Sequence, residues 1–135
     1  MTADPGVPPA VTITRRVEWA DTDAAGHHHH GAVLRWVEAA EAELLRRIGQ
    51  DGLFGRIPRV RYEVDYRTRL WFGQEVRVEL AIGRVGRSSV RYDFVVHGGH
   101  VVAATGSMHV VLAAPDAPSA RPWPDEVRAV LCGGT

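Results

Sequence analysis

Only one long stretch of this sequence repeats at helical spacing; the other periodic segments repeat at two. From residue 32 to residue 48, Val33, Trp36, Val37, Ala40, Leu44 and Ile48 recur at steps of three and four. Arg35, Glu38, Glu43, Arg46 and Arg47 take the opposite side. That stripe predicts an amphipathic helix of about five turns, ended by Gly49 and Gly52. Ala39, Ala40 and Ala42 let it lie close to a sheet. A single helix must find its cover in strands, and the sequence supplies them. Val11, Ile13, Val17 and Trp19 fall on one face of a first strand, with Arg15 the exception. After the helix, Val60, Tyr62, Val64 and Tyr66 alternate with charged residues, and Thr68, Leu70 and Trp71 extend that strand. Val76, Val78, Leu80 and Ile82 follow, then a turn at 83–87, then Val90, Tyr92, Phe94 and Val96. Gly98-Gly99 is a tight-hairpin signal before a last strand through Val102, Ala104, Met108, Val110 and Leu112. Short turns make antiparallel neighbours. The order predicts an α+β domain: a curled antiparallel sheet of about five strands wrapped around one long central helix.

Composition narrows the function classes. The chain has 135 residues, enough for one domain with a modest core. Its 16 basic and 16 acidic residues cancel, which argues against nucleic acid, a partner that wants a basic field. All the basic residues are Arg, so lysine Schiff-base chemistry is excluded. The one cysteine, Cys132, is three residues from the C-terminus and has no internal disulfide partner. Residues 1–10 lack the basic and apolar regions of a secretory peptide, and no apolar run approaches the ~18 residues of a membrane span. The expectation is a cytoplasmic protein with no membrane partner.

The chemistry points to the junction before the helix, Glu18-Trp19-Ala20-Asp21-Thr22-Asp23-Ala24-Ala25-Gly26-His27-His28-His29-His30-Gly31. A helix start collects unpaired backbone N–H groups and the positive end of the helix dipole. A carboxylate held there lies beside a place where an oxyanion is stabilised. Asp21 and Asp23 are equally good helix caps, and the local pattern alone leaves both readings open.

The run Asp21-Thr22-Asp23-Ala24-Ala25-Gly26, followed by a helix carrying Trp36-Val37-Glu38-Ala39-Ala40, resembles the hotdog-fold thioesterases of the 4-hydroxybenzoyl-CoA thioesterase-like family. The strand order after the helix matches as well, so the resemblance spans residues 11–113, the expected thioesterase domain. Residues 1–10 are then a flexible N-terminal segment and 114–135 a Pro-rich C-terminal extension. The resemblance implies hydrolysis of an acyl or aryl thioester of coenzyme A or acyl carrier protein, with no metal and no cofactor. It implies Asp23 as the catalytic acid, Asp21 as its structural companion and Gly26 as the glycine of the turn. The carbonyl-polarising backbone N–H falls on His30 or Gly31, and His30 also matches a histidine found in part of the family. This chain departs from the family at His27, His28 and His29, where an apolar or aromatic run is usual, at Val33 in place of Tyr, and at Glu41 in place of Arg. Those departures bear on the acyl group.

Further site residues are weighed against plainer readings. His27 to His29 line the pocket mouth or face solvent, with His29 the candidate for substrate contact. Adjacent residues point in different directions, so at most two of the four histidines could share an ion, and no metal is expected. Arg84, Arg87 and Ser88 lie in an Arg- and Gly-rich turn that either holds the coenzyme A phosphates or is a solvated hairpin. The arginines at 59, 61, 67 and 69 alternate with acids and read as an exposed strand face. Tyr62, within the Val60 to Tyr66 segment, belongs to a second pocket wall. No serine sits in a Gly-x-Ser-x-Gly elbow. A non-catalytic hotdog protein binding an acyl ligand or partner is the alternative, disfavoured by intact Asp23 and Gly26. One helix leaves sheet edges uncovered, so a homodimer or homotetramer is expected.

Overall fold

The computed structural model describes residues 6–116 and 119–134. Residues 1–5 of the expected N-terminal segment, and 117, 118 and 135 of the expected C-terminal extension, lie outside them. Strand β1 (Ala10–Arg16) leads through a 3-10 turn at Trp19–Asp21 into helix α1 (His30–Arg47). Then come β2 (Arg59–Tyr66), β3 (Glu75–Val85), β4 (Ser89–Gly98), β5 (Val101–Val111) and a short helix α2 (Asp125–Leu131). The five strands form one antiparallel sheet in the order β1-β3-β4-β5-β2. This is the α+β arrangement that the two periodicities predict, with the sheet curled on α1.

The inward residues of the sheet are the alternating ones. Val76, Val78, Leu80 and Ile82 of β3 and Val90, Tyr92, Phe94 and Val96 of β4 are all buried. They meet Val33, Trp36, Val37, Ala40, Leu44 and Leu45 of α1, so the helix buries the stripe that its spacing draws. Glu41 shares that face, buried among apolar neighbours. Its carboxylate is held by the Arg59 guanidinium, which also bonds Glu38 at 3.1 Å. Burial pushes the Glu41 carboxyl above its usual range, with Arg59 and the Tyr92 hydroxyl pulling the other way. Arg59 belongs to the exposed row, and its guanidinium also has a structural task there, reaching in to the buried Glu41.

Several strand limits differ from the sequence expectation. β1 stops at Arg16, because Val17 turns into the core and Trp19 enters the 3-10 turn, 73% exposed. β2 stops at Tyr66: Arg67 and Thr68 both give their N–H to the Ala103 carbonyl, which ends the ladder, and Trp71 is exposed in the loop beyond. β3 runs on to Val85, so its turn to β4 is shorter than 83–87. A bulge between Arg59 and Arg61 breaks the alternation of β2, and Val60 is left outside the core. Residues 121–131, beyond the last strand, pack on the sheet. Trp123 and Leu131 are core residues, the Trp123 indole N–H donates to the Ser89 carbonyl at 3.1 Å, and Arg128 donates to the Gly86 carbonyl at 2.6 Å. No described helix is long and apolar enough to cross a membrane.

Candidate active site

The loop between the 3-10 turn and α1 folds back on itself as a small hairpin. Thr22 bridges His28, His27 bridges Trp71, and the Asp23 N–H donates to the His27 carbonyl at 3.0 Å. Gly26 turns the loop at φ +87°, a conformation that costs any other residue strain, and its α-carbon faces the Trp71 ring. Asp21 is the anchor. Its Oδ2 accepts the Glu18 N–H at 2.8 Å, its Oδ1 accepts Arg35 at 2.5 Å, and its carbonyl accepts the His29 N–H at 2.6 Å. The buried carboxylate thus ties the 3-10 turn to the second turn of α1, and the backbone carbonyl of the same residue ties in the loop.

Asp23 has a different environment. Its Oδ1 accepts the Ala25 N–H at 2.8 Å, and its Oδ2 lies 3.8 Å from His27 Nδ1, with the side chain 35% exposed. It borders an open cleft of about 350 Å³. His27, His28 and His30 line the same cleft from the loop and helix start. Tyr66 at the end of β2 and Arg67, Thr68 and Arg69 beyond it form the opposite wall. The Tyr66 hydroxyl donates to the His30 carbonyl at 2.6 Å, which ties β2 to the first turn of α1.

The four histidines separate once folded. His27 packs edge-on against Trp71 and donates from Nδ1 to the His28 carbonyl at 3.2 Å. His28 is not at the mouth: it is 7% exposed, and its Nδ1 accepts the Leu70 N–H at 3.0 Å. Burial pushes its pKa below the usual histidine value. His29 caps α1, its Nδ1 accepting the Gly31 N–H at 3.0 Å. His30 opens the helix, and its backbone N–H has no hydrogen-bond partner among the described residues. Of the two amides expected to polarise a carbonyl, the Gly31 amide is therefore engaged and the His30 amide is free.

Of the expected residues, Asp23 and His30 line the cleft; Gly26 turns the loop that carries Asp23, and Gly31 and His29 at the helix start are not among the lining residues, nor are the others expected. Tyr62 lies further back on β2, stacked on Phe94 at 5.9 Å, its hydroxyl buried without a partner. Arg84, Arg87 and Ser88 flank the β3–β4 turn, at the opposite end of β3 from the cleft. Eleven residues of strand separate those ends by roughly 30 Å. Arg84 there borders a shallow depression of about 170 Å³ with Ser89, Arg91 and His109. The sequence reading missed Arg67 and Arg69, because an alternating row of arginines looks the same on a solvated strand as past its end. Among the described residues no group of three or more His, Cys, Asp or Glu side chains is arranged to hold a metal ion.

Comparison with known proteins places this geometry. The thioesterase-like superfamily matches residues 17–131. A predicted thioesterase from Bacillus stearothermophilus is 31% identical, covering 90% of this chain and 93% of its own, with a TM-score of 0.83. A thioesterase from Thermus thermophilus, solved with coenzyme A and zinc, is 28% identical over 93% of this chain and 92% of its own, with a TM-score of 0.82. A 1,4-dihydroxy-2-naphthoyl-CoA thioesterase from Synechocystis is 21% identical, covering 91% of this chain and 96% of its own, with a TM-score of 0.82, a likeness of fold. No curated protein matches the sequence.

Proposed function

The chain belongs to the thioesterase-like superfamily and is a thioester hydrolase, and from that premise we propose that it cleaves an acyl or aryl thioester of coenzyme A with Asp23 as its catalytic carboxylate. The observation that carries this reading is the cleft itself. Asp23, its carboxylate partly exposed, and His30, whose backbone N–H is unpaired among the described residues, both line it at the start of a long helix. A volume of about 350 Å³ suits an acyl or aryl group rather than a whole coenzyme. Similar proteins that act on a CoA thioester or were solved with coenzyme A support that carrier over acyl carrier protein.

A thioester needs little help. Its carbonyl is open to attack and a thiolate leaves readily, so one positioned carboxylate is enough. Asp23 either takes a proton from water as the water oxygen bonds to the carbonyl carbon, or bonds to that carbon itself. In the first route the C–S electrons leave with sulfur, and the proton held by Asp23 passes to the thiolate. In the second the tetrahedral adduct expels the thiolate and becomes a mixed anhydride; water then splits the anhydride to free acid and Asp23 carboxylate, and the remaining proton of that water goes to the thiolate. In both routes negative charge collects on the former carbonyl oxygen. The unpaired His30 amide at the helix start is the donor proposed to receive it, and loss of one such donor typically costs ~2.7–4 kcal/mol.

The test is thiol release across short, long and aromatic acyl-CoA substrates, with acyl-carrier-protein thioesters alongside. D23N and D23A are expected to lower kcat by orders of magnitude while the far-ultraviolet dichroism and Tm stay near those of the parent. Near-normal turnover in D23A would sink the assignment.

A further inference from the structure

We propose that His28 is a second catalytic residue of this site, its Nε2–H donating to the thioester carbonyl oxygen as charge develops there. The inference rests on the Asp23 reading above and adds an electrophilic partner to it.

The geometry fixes which nitrogen carries the proton. His28 Nδ1 accepts the Leu70 N–H at 3.0 Å, and a neutral imidazole that accepts at Nδ1 carries its hydrogen on Nε2. No protein group among the described residues takes that hydrogen, and the residue lines the cleft that Asp23 lines. The ring is also held on several sides. The His28 N–H donates to the Leu70 carbonyl at 2.6 Å, so Leu70, itself 1% exposed, grips both the backbone and the side chain of His28. The rings of Trp36 and Tyr66 sit 6.3 Å and 6.0 Å from it. A donor locked in place and shielded from water needs no reorganisation when the oxyanion forms, which is the condition for large electrostatic stabilisation.

Burial lowers the pKa of this ring, and His27 and His29 push the same way while the Asp23 charge opposes them. A neutral imidazole donor polarising a carbonyl opposite a carboxylate base is an arrangement other enzymes use. The remaining donors serve less well. The Gly31 amide is held by His29, and the Tyr66 hydroxyl is given to the His30 carbonyl. Arg67 and Arg69 are exposed on long stems and lose rotamer freedom when fixed. The plainer account makes His28 a core histidine whose work ends at the Leu70 amide, and the experiment separates the two.

H28Q keeps an acceptor for Leu70 and an N–H for the cleft; H28F keeps the ring's bulk and loses both nitrogens. Each is compared with the parent and D23N for kcat, for Kd of a non-hydrolysable thioether analogue of acyl-CoA, and for Tm. H28F is expected to lose about 10²–10³-fold in kcat with little change in Kd, and H28Q to recover most of it. Full kcat in folded H28F would overturn the proposal. Should H28F not fold, nitrogen NMR of the parent decides. The His28 imidazole must show the Nε2–H tautomer, with that nitrogen shifting when a ketone analogue of the thioester binds. An Nδ1–H tautomer, or no shift, would overturn it. A parent that hydrolyses no thioester at all would overturn the Asp23 reading instead.

Discussion

Asp21 and Asp23 stand two residues apart, point into different surroundings and carry different loads. The Asp21 carboxylate receives an amide and a guanidinium and is 8% exposed. Truncating it removes the Glu18 N–H and Arg35 bonds that fasten the 3-10 turn to α1; both partners are solvent-accessible, so the loss is about 1–2 kcal/mol. D21A should therefore lower Tm by several degrees, seen by thermal melting, and should lower kcat far less than D23A does. An unchanged Tm would contradict the anchoring role. His28 gives a second prediction, in pH. Its folded pKa lies below the ordinary 6.5, so the unfolded chain binds the proton more readily than the folded one. The stability His28 contributes is complete above about pH 6.5 and drains away as pH falls through that value toward the folded pKa. Denaturant unfolding followed downward through that window should show a steeper loss for the parent than for H28Q. Parallel curves would mean that His28 titrates alike in both states. The two aspartates were legible because their spacing and the following glycine form a motif. The four histidines were not separable in one dimension. Which of them is buried depends on the His28–Leu70 pairing, 42 residues apart in sequence.

The helix α1 was the most legible element, since its apolar stripe is the stripe it buries. The one residue that breaks the pattern, Glu41, shows why reading a stripe is incomplete. A carboxylate on the apolar face survives because Arg59, arriving from β2, meets it. Nothing local to α1 announces that partner. R59A should leave a buried charge uncompensated and cost on the order of 3 kcal/mol, measured by urea unfolding near neutral pH. Adding E41Q removes the charge and should restore part of the loss. The double variant being no better than R59A would show that the pair is not coupled. Strand ends were less legible than strand interiors for a related reason. The stop of β2 at Tyr66 is set by the Ala103 carbonyl on β5, and the exposure of Val60 by a bulge in the same pairing. Both are consequences of the neighbouring strand rather than of propensity.

At the scale of the whole molecule, β2 is an outer strand: it pairs with β5 on one side only, and its ladder groups on the other side face outward. Unpaired strand edges invite a second chain. If two copies join at β2 about a two-fold axis, the strands run antiparallel, and Tyr66 of one copy meets the Arg59 end of the other. Arg59 pairs with Val110, and Val110 and Val111 lie opposite Val90 and Ser89 at the β3–β4 turn. The same operation therefore carries the turn of one copy, with Arg84 and Arg87, toward the Asp23 cleft of the other. In such a dimer an Arg-rich turn some 30 Å from the cleft in its own chain would come within reach of the phosphates of a substrate bound in the other. Each cleft would then be incomplete without the other copy. Two measurements test this together. Light scattering during dilution should show a dimer or a dimer of dimers, with specific activity falling as the mass falls. R87A should raise KM for acyl-CoA while leaving a pantetheine thioester, which lacks the nucleotide phosphates, nearly unchanged. A monomer with full specific activity would rule out the shared site, and an equal effect of R87A on both substrates would assign that arginine to the turn it stands in.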